Sequence, residues 1–82
     1  FPSFSNGNSG PSCGTVGAPA SYSNSFGVGA TDINDVIASF SSRGPSPFSS
    51  GLKPNVSAPG VNVRSAVAGS DSSYSSFNGT SM

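Results

Sequence analysis

One serine stands in a setting where a hydroxyl can act as a nucleophile. Ser81 lies in Phe77-Asn78-Gly79-Thr80-Ser81-Met82, where a run rich in Ser and aromatic residues meets a small Gly-Thr-Ser turn. Such a turn hands a strand over to a helix and exposes a hydroxyl on the helix's first residue. Unpartnered backbone N–H groups and the positive end of the helix dipole then stabilise negative charge developing beside that oxygen. The same features describe an ordinary helix N-cap, and the hexapeptide by itself favours that plainer reading.

Other reactive side chains are sparse. The chain has no histidine, a single cysteine, three carboxylates (Asp32, Asp35, Asp71) and three cations (Arg43, Lys53, Arg64). A zinc site contained within the chain is therefore excluded in practice. Cys13 has no intrachain partner; it either pairs with a cysteine elsewhere in a longer secreted chain or is a buried free thiol. Gly27-Val28-Gly29 lacks the third glycine and the following helix of a dinucleotide-binding turn, so it reads as buried strand. Asp32-Ile33-Asn34 begins like a calcium loop but lacks the later glycine and glutamate, so it reads as a turn. The sequons Asn55-Val56-Ser57 and Asn78-Gly79-Thr80 are short enough to arise by chance.

The elements that must position Ser81 are built from little apolar material. Only 33% of the 82 residues are hydrophobic and 7% are charged, so the core must be thin and much of the chain is loop. The three basic and three acidic residues cancel, which sets the chain apart from highly charged disordered segments. The singly scattered Arg43, Lys53 and Arg64 do not make a phosphate-binding face, so no nucleic-acid partner is expected. No apolar run approaches bilayer-spanning length and no signal peptide opens the chain, so no membrane span is expected. Phe1 is not an initiator methionine, and the chain is expected to begin inside a longer one.

In order, Phe1 to Ser5 reads as a short strand weakened by Pro2, running into the turn Asn6-Gly7-Asn8-Ser9-Gly10-Pro11. Residues 12–25 read as loop, with Ala18-Pro19 a setting for a cis peptide bond. Phe26 to Thr31 alternates bulky and tiny residues, a strand pressed against other backbone on its glycine side. Asp32 to Asp35 is a turn, Val36 to Phe40 an apolar strand, and Ser41 to Gly51 a Pro/Gly/Ser loop. Pro54 to Ser57 and Val61 to Val67 read as extended pieces separated by Ala58-Pro59-Gly60, and Asp71 to Phe77 as a last strand. Nothing before Ser81 sustains a helical period, so little helix is expected.

Four segments occur in the order and approximate spacing of the subtilisin-like serine proteases, the subtilases. They are Asn6-Gly7-Asn8-Ser9-Gly10, Phe40-Ser41-Ser42-Arg43-Gly44-Pro45, Leu52-Lys53-Pro54-Asn55-Val56-Ser57-Ala58-Pro59-Gly60 and Asn78-Gly79-Thr80-Ser81-Met82. Together they span essentially the whole chain. The resemblance implies an α/β protein: part of a three-layer fold with a mostly parallel sheet, here dominated by short strands and loops. Residues 1–82 are then an incomplete, C-terminal part of a catalytic domain, from oxyanion loop to nucleophile.

By that resemblance Ser81 is the nucleophile and Asn8 the side-chain donor of the oxyanion hole. Attack on a peptide carbonyl leaves an alkoxide that needs two preset donors, and an asparagine amide plus the Ser81 backbone N–H supply two. In subtilisin itself, loss of the side-chain donor costs about a hundred- to a thousandfold in turnover. Gly79 and Thr80 are small enough to let substrate backbone approach. Ser5, Asn6, Gly7 and Gly17 resemble the walls and floor of the pocket for the residue before the cleaved bond, with Gly17 leaving it deep enough for a large apolar side chain.

The chain also departs from the family pattern. Ser5 and Asn6 replace small apolar residues, and Asn55 stands where many relatives carry an aspartate near a cation site. No metal or other cofactor is expected in this chain, with structural calcium left open for the parent protein. The triad Asp and His are absent, and the family order Asp, His, Ser puts them upstream. The implied partners are a polypeptide substrate and the remainder of the catalytic domain. The implied location is extracellular or secreted, and the isolated chain is expected to be inactive. The competing readings are a non-catalytic extracellular β-rich interaction module and a subtilase-like pseudoenzyme lacking the base.

Overall fold

A computed structural model describes residues 2–47 and 51–82, so Phe1 of the first expected strand and residues 48–50 of the expected Ser41 to Gly51 loop lie outside the described residues. Among the described residues five short strands form: β1 (Ser3–Ser5), β2 (Phe26–Thr31), β3 (Val56–Pro59), β4 (Val63–Ala66) and β5 (Tyr74–Phe77). Strands β1, β2 and β3 make one parallel sheet in that order, with Phe4 opposite Gly27 and Val28 opposite Val56. Strands β4 and β5 make a separate antiparallel pair, Arg64 opposite Ser76. No helix occurs among the described residues, as the missing 3.6 period requires.

Parallel strands are usually joined through a helix, but here the described residues of both connections, 6–25 and 32–47 with 51–55, hold none. They pack on the sheet because glycine and alanine leave room for them. Gly27 and Gly29 lie against Ala20, Asn6, Ser41 and Pro54, and the buried apolar residues are Val16, Ala20, Ala30 and Ala38. The expected partner on the glycine side of β2 was other backbone; the Ala20 carbonyl is there, but the rest are side-chain atoms of the loops and of Ser57 in β3. The core is correspondingly small, and large apolar side chains such as Val56, Tyr74 and Phe77 stay about half exposed.

Polar groups supply much of what holds the loops. Ser41 and Ser42 are fully buried, and the Ser41 hydroxyl accepts from the Ala30 N–H at 3.0 Å. Lys53 is only 8% exposed; its ammonium donates to the Ser25 carbonyl at 2.7 Å and to Asn55 Oδ1 at 2.9 Å. Asn55 Oδ1 also accepts from the Gly27 N–H, and the Asn55 N–H donates to the Gly27 carbonyl, so one cluster fixes the entry of β2 to that of β3. Replacing Lys53 with methionine keeps the apolar stem and strips this cluster of its donor. In the full-length protein we expect a loss of about 1–3 kcal/mol, read as a lowered thermal midpoint; an unchanged midpoint contradicts the role.

Three expectations are corrected. Val36 to Phe40 is not a strand: only Ile37 bridges to Thr31, while Val36 and Ile37 remain 58% and 38% exposed. The Asp32 carboxylate takes the Asn34 and Val36 N–H groups, Asp35 turns at φ 61°, and the Ser41 N–H closes a second turn on the Ala38 carbonyl. Two turns so close together leave no length for a ladder. Ala58 and Pro59 do not separate two strands but belong to β3, where a proline is tolerated because β3 is an edge of this sheet. Cys13 is exposed, which removes the buried-thiol alternative and leaves pairing outside the chain; its loop is held by the Thr15 hydroxyl on the Ser12 carbonyl and by the Thr15 N–H on the Arg43 carbonyl. The Asp32 to Asp35 turn and the cis Ala18-Pro19 bond form as expected.

Candidate active site

The carboxyl end of the parallel sheet gathers three loops. In open parallel sheets this end forms the crevice where ligands bind. Strand β1 leads into Asn6-Gly7-Asn8 and β3 leads into Gly60. The Gly79 N–H donates to the Gly60 carbonyl at 2.8 Å, which lays the Gly79-Thr80-Ser81 turn across the same end. Only glycine fits at position 60, because a Cβ there would sit 2.4 Å from the Gly79 carbonyl oxygen.

Thr80 joins the turn to the loop after β1. Its N–H and its hydroxyl both donate to Asn8 Oδ1 at 3.0 Å, and its hydroxyl also accepts from the Gly7 N–H at 3.0 Å. With both contacts made to the amide oxygen, Asn8 Nδ2 is directed elsewhere. The position a Cβ would take on Gly79 lies 3.6 Å from Asn8 Nδ2 and 3.8 Å from the Ser81 backbone nitrogen. Two nitrogens, one from each loop, thus lie near the same face of the buried Gly79, with Met82 Cε beside them at 3.9 Å. Gly7 permits the approach through its φ of 106°, a conformation closed to most side chains.

The expected site residues fall into distinct places. Ser81 is exposed and stands in a turn whose Met82 N–H reaches the Gly79 carbonyl at 3.5 Å. The turn and the Thr80 clamp hold it. Asn8 is exposed, Gly79 and Thr80 are buried, and Gly7 is half-buried. Ser5 and Ser81 share an open recess of about 300 Å³ with Phe4, Val28, Ala58 and Met82. Gly17 is exposed with nothing within 4 Å of where its Cβ would point, and its N–H reaches the Asn6 carbonyl. Asn6 differs from the expected pocket wall. It is fully buried with its amide on the Ser42 carbonyl at 2.6 Å, so its side chain backs the loop instead of lining a cavity.

In the sequence Thr80 stands out only as small, and Ser42 only as one position of the Phe40 to Pro45 segment. The contacts that define them join residues 72 and 36 positions apart, and no local spacing signals such pairs. A second recess of about 320 Å³ lies beside the Asp32 to Asp35 turn, lined by Ile33, Pro59, Val61 and Val63. It contains none of the residues singled out for catalysis. No group of three His, Cys, Asp or Glu side chains gathers among the described residues.

Comparison with known proteins places these loops in context. The Subtilase family model matches residues 1–82. Bacillopeptidase F of Bacillus subtilis is 49% identical over 88 aligned positions, covering all of this chain and 6% of that protein. Alkaline elastase YaB of Bacillus sp. (strain YaB) is 51% identical and Subtilisin Savinase of Lederbergia lenta 50% identical; each match covers 93% of this chain and, respectively, 17% and 24% of the relative. The chain therefore spans less than a quarter of the length of these curated relatives. Among solved structures, that of the S41 Psychrophilic Protease superposes with a TM-score of 0.77 at 34% identity, covering 98% of this chain and 28% of its own.

Proposed function

The chain belongs to the subtilase family, and from that premise we propose that it supplies the nucleophile and oxyanion half of a serine endopeptidase site. The observation that carries the reading is the Thr80 clamp on Asn8 Oδ1, which leaves Asn8 Nδ2 and the Ser81 backbone nitrogen 3.6 and 3.8 Å from the position a Cβ would take on Gly79. In this reading Ser81 Oγ attacks a substrate carbonyl carbon and the hydroxyl proton passes to a histidine outside these 82 residues, oriented by an aspartate. The carbonyl oxygen becomes an alkoxide and settles between the two donors, which the fold has already placed. Collapse expels the amine, which takes the proton from the histidine, and leaves an acyl-enzyme that water hydrolyses.

Thr80 fixes which end of the Asn8 amide faces the alkoxide, since a flipped amide would present an acceptor to a negative charge. The substrate is a polypeptide lying along Gly79, with Ser5, Gly7 and Gly17 bounding the pocket for the residue before the cleaved bond. The isolated chain has no histidine and is inactive alone. We place the full-length protein outside the cell, as the resemblance implies; no helix among the described residues is long and apolar enough to cross a membrane. The test is hydrolysis of a chromogenic peptide amide by the full-length protein and its Ser81→Ala variant. Hydrolysis that survives the substitution overturns the reading.

A further inference from the structure

Ser42 is fully buried and hydrogen-bonds to the loop that carries Asn8. Its carbonyl accepts from Asn6 Nδ2 at 2.6 Å, its N–H donates to the Gly7 carbonyl at 2.9 Å, and its hydroxyl accepts from the Ser9 N–H at 2.9 Å. Residues 6, 7 and 9 are thus each held by a different polar group of one serine. Asn8, between them, is left with its side chain at the site. The packing is as close as the bonding: a Cβ on Gly7 would lie 2.8 Å from Ser42 Oγ. One residue further on, the Gly10 N–H donates to the Phe40 carbonyl at 2.8 Å, extending the same attachment.

Asn6 makes this arrangement specific. It is fully buried, and its Oδ1 has no partner among the described residues. Burying a carboxamide with one end unsatisfied is unfavourable. A small apolar residue would avoid that cost, so the amide's contribution lies in the bond it makes to Ser42.

We infer that Ser42 and Asn6 are positioning residues for the oxyanion loop, Ser42 serving as a template that holds the backbone on both sides of Asn8 and Asn6 locking the template in place. The inference rests on the proposed role of Asn8. A loop displaced by a fraction of an ångström still binds substrate but meets the alkoxide off its hydrogen-bonding position, so the effect falls on the transition state.

The experiment uses the full-length protein with Ser42→Ala, Asn6→Ala, Ser42→Thr and Asn8→Leu, and the double variant Ser42→Ala/Asn8→Leu, with active sites titrated so that only folded enzyme is counted. Ser42→Ala and Asn6→Ala should each lower kcat about ten- to a hundredfold with KM nearly unchanged. Affinity for a peptidyl boronic acid should fall in parallel, and Ser42→Thr, which keeps the hydroxyl, should recover most of the loss. In the Asn8→Leu background Ser42→Ala should cost little more, because the group it positions is already gone. Should Asn6→Ala fail to fold, the Ser42 variants decide. Full additivity in the double variant, or loss confined to KM, overturns the positioning role. An Asn8→Leu variant with normal kcat overturns instead the reading of Asn8 on which it rests.

Discussion

Ser81→Ala in the full-length protein should reduce turnover of a peptide amide by about a millionfold, the scale on which removal of the serine acts in triad proteases. The expectation follows from the chemistry of the turn. Ser81 is exposed and lines a recess of about 300 Å³, in the turn whose neighbour Thr80 binds Asn8. Alanine keeps the backbone N–H and leaves the Thr80 contacts to Asn8 untouched, so folding and substrate binding should persist. A steady-state assay with active enzyme concentration fixed by mass would show kcat lost and inhibitor binding retained. A variant with a tenth of the parent's turnover would remove Ser81 from the mechanism.

Asn8 is the second position where a large effect is expected. Asn8→Leu should lower kcat by about a hundred- to a thousandfold while KM changes little, because the donor acts on charge that exists only in the transition state. Leucine also removes the acceptor for Thr80, so the loss could in principle come from a loosened loop. Asn8→Asp separates the two causes. Aspartate keeps an oxygen for the Thr80 N–H and hydroxyl, both now 3.0 Å from Oδ1, but offers no donor to the alkoxide. It should fall at least as far as leucine, since it sets a carboxylate oxygen where negative charge develops. Recovery of kcat in Asn8→Asp would assign the effect to loop geometry.

Much of this site was legible from local sequence. The Gly-Thr-Ser turn, the glycine-permitted bend at Gly7 and the Asp32 to Asp35 turn are dictated by residues within a few positions, and all three form. Strand β2 was readable because its alternation of bulk and glycine matches a sheet with loop packed on one side. What escaped depends on contacts between distant segments. Thr80 orients Asn8 and Ser42 templates the loop through bonds that no periodicity encodes. The Val36 to Phe40 run failed for a related reason: its apolar character argued for a strand, but the Asp32 carboxylate captured the backbone that a ladder would have used. Asn6 misled differently. The resemblance implies a pocket wall there, whereas its amide turns inward to Ser42 and is fully buried.

The central claim, that Ser81 is an activated nucleophile in the full-length protein, is tested most directly by a serine-directed phosphonylating reagent followed by peptide mapping. The account predicts one phosphonyl group per molecule, attached at Ser81, and no labelling of the Ser81→Ala variant. Labelling at another residue, or none in a folded full-length protein, contradicts it.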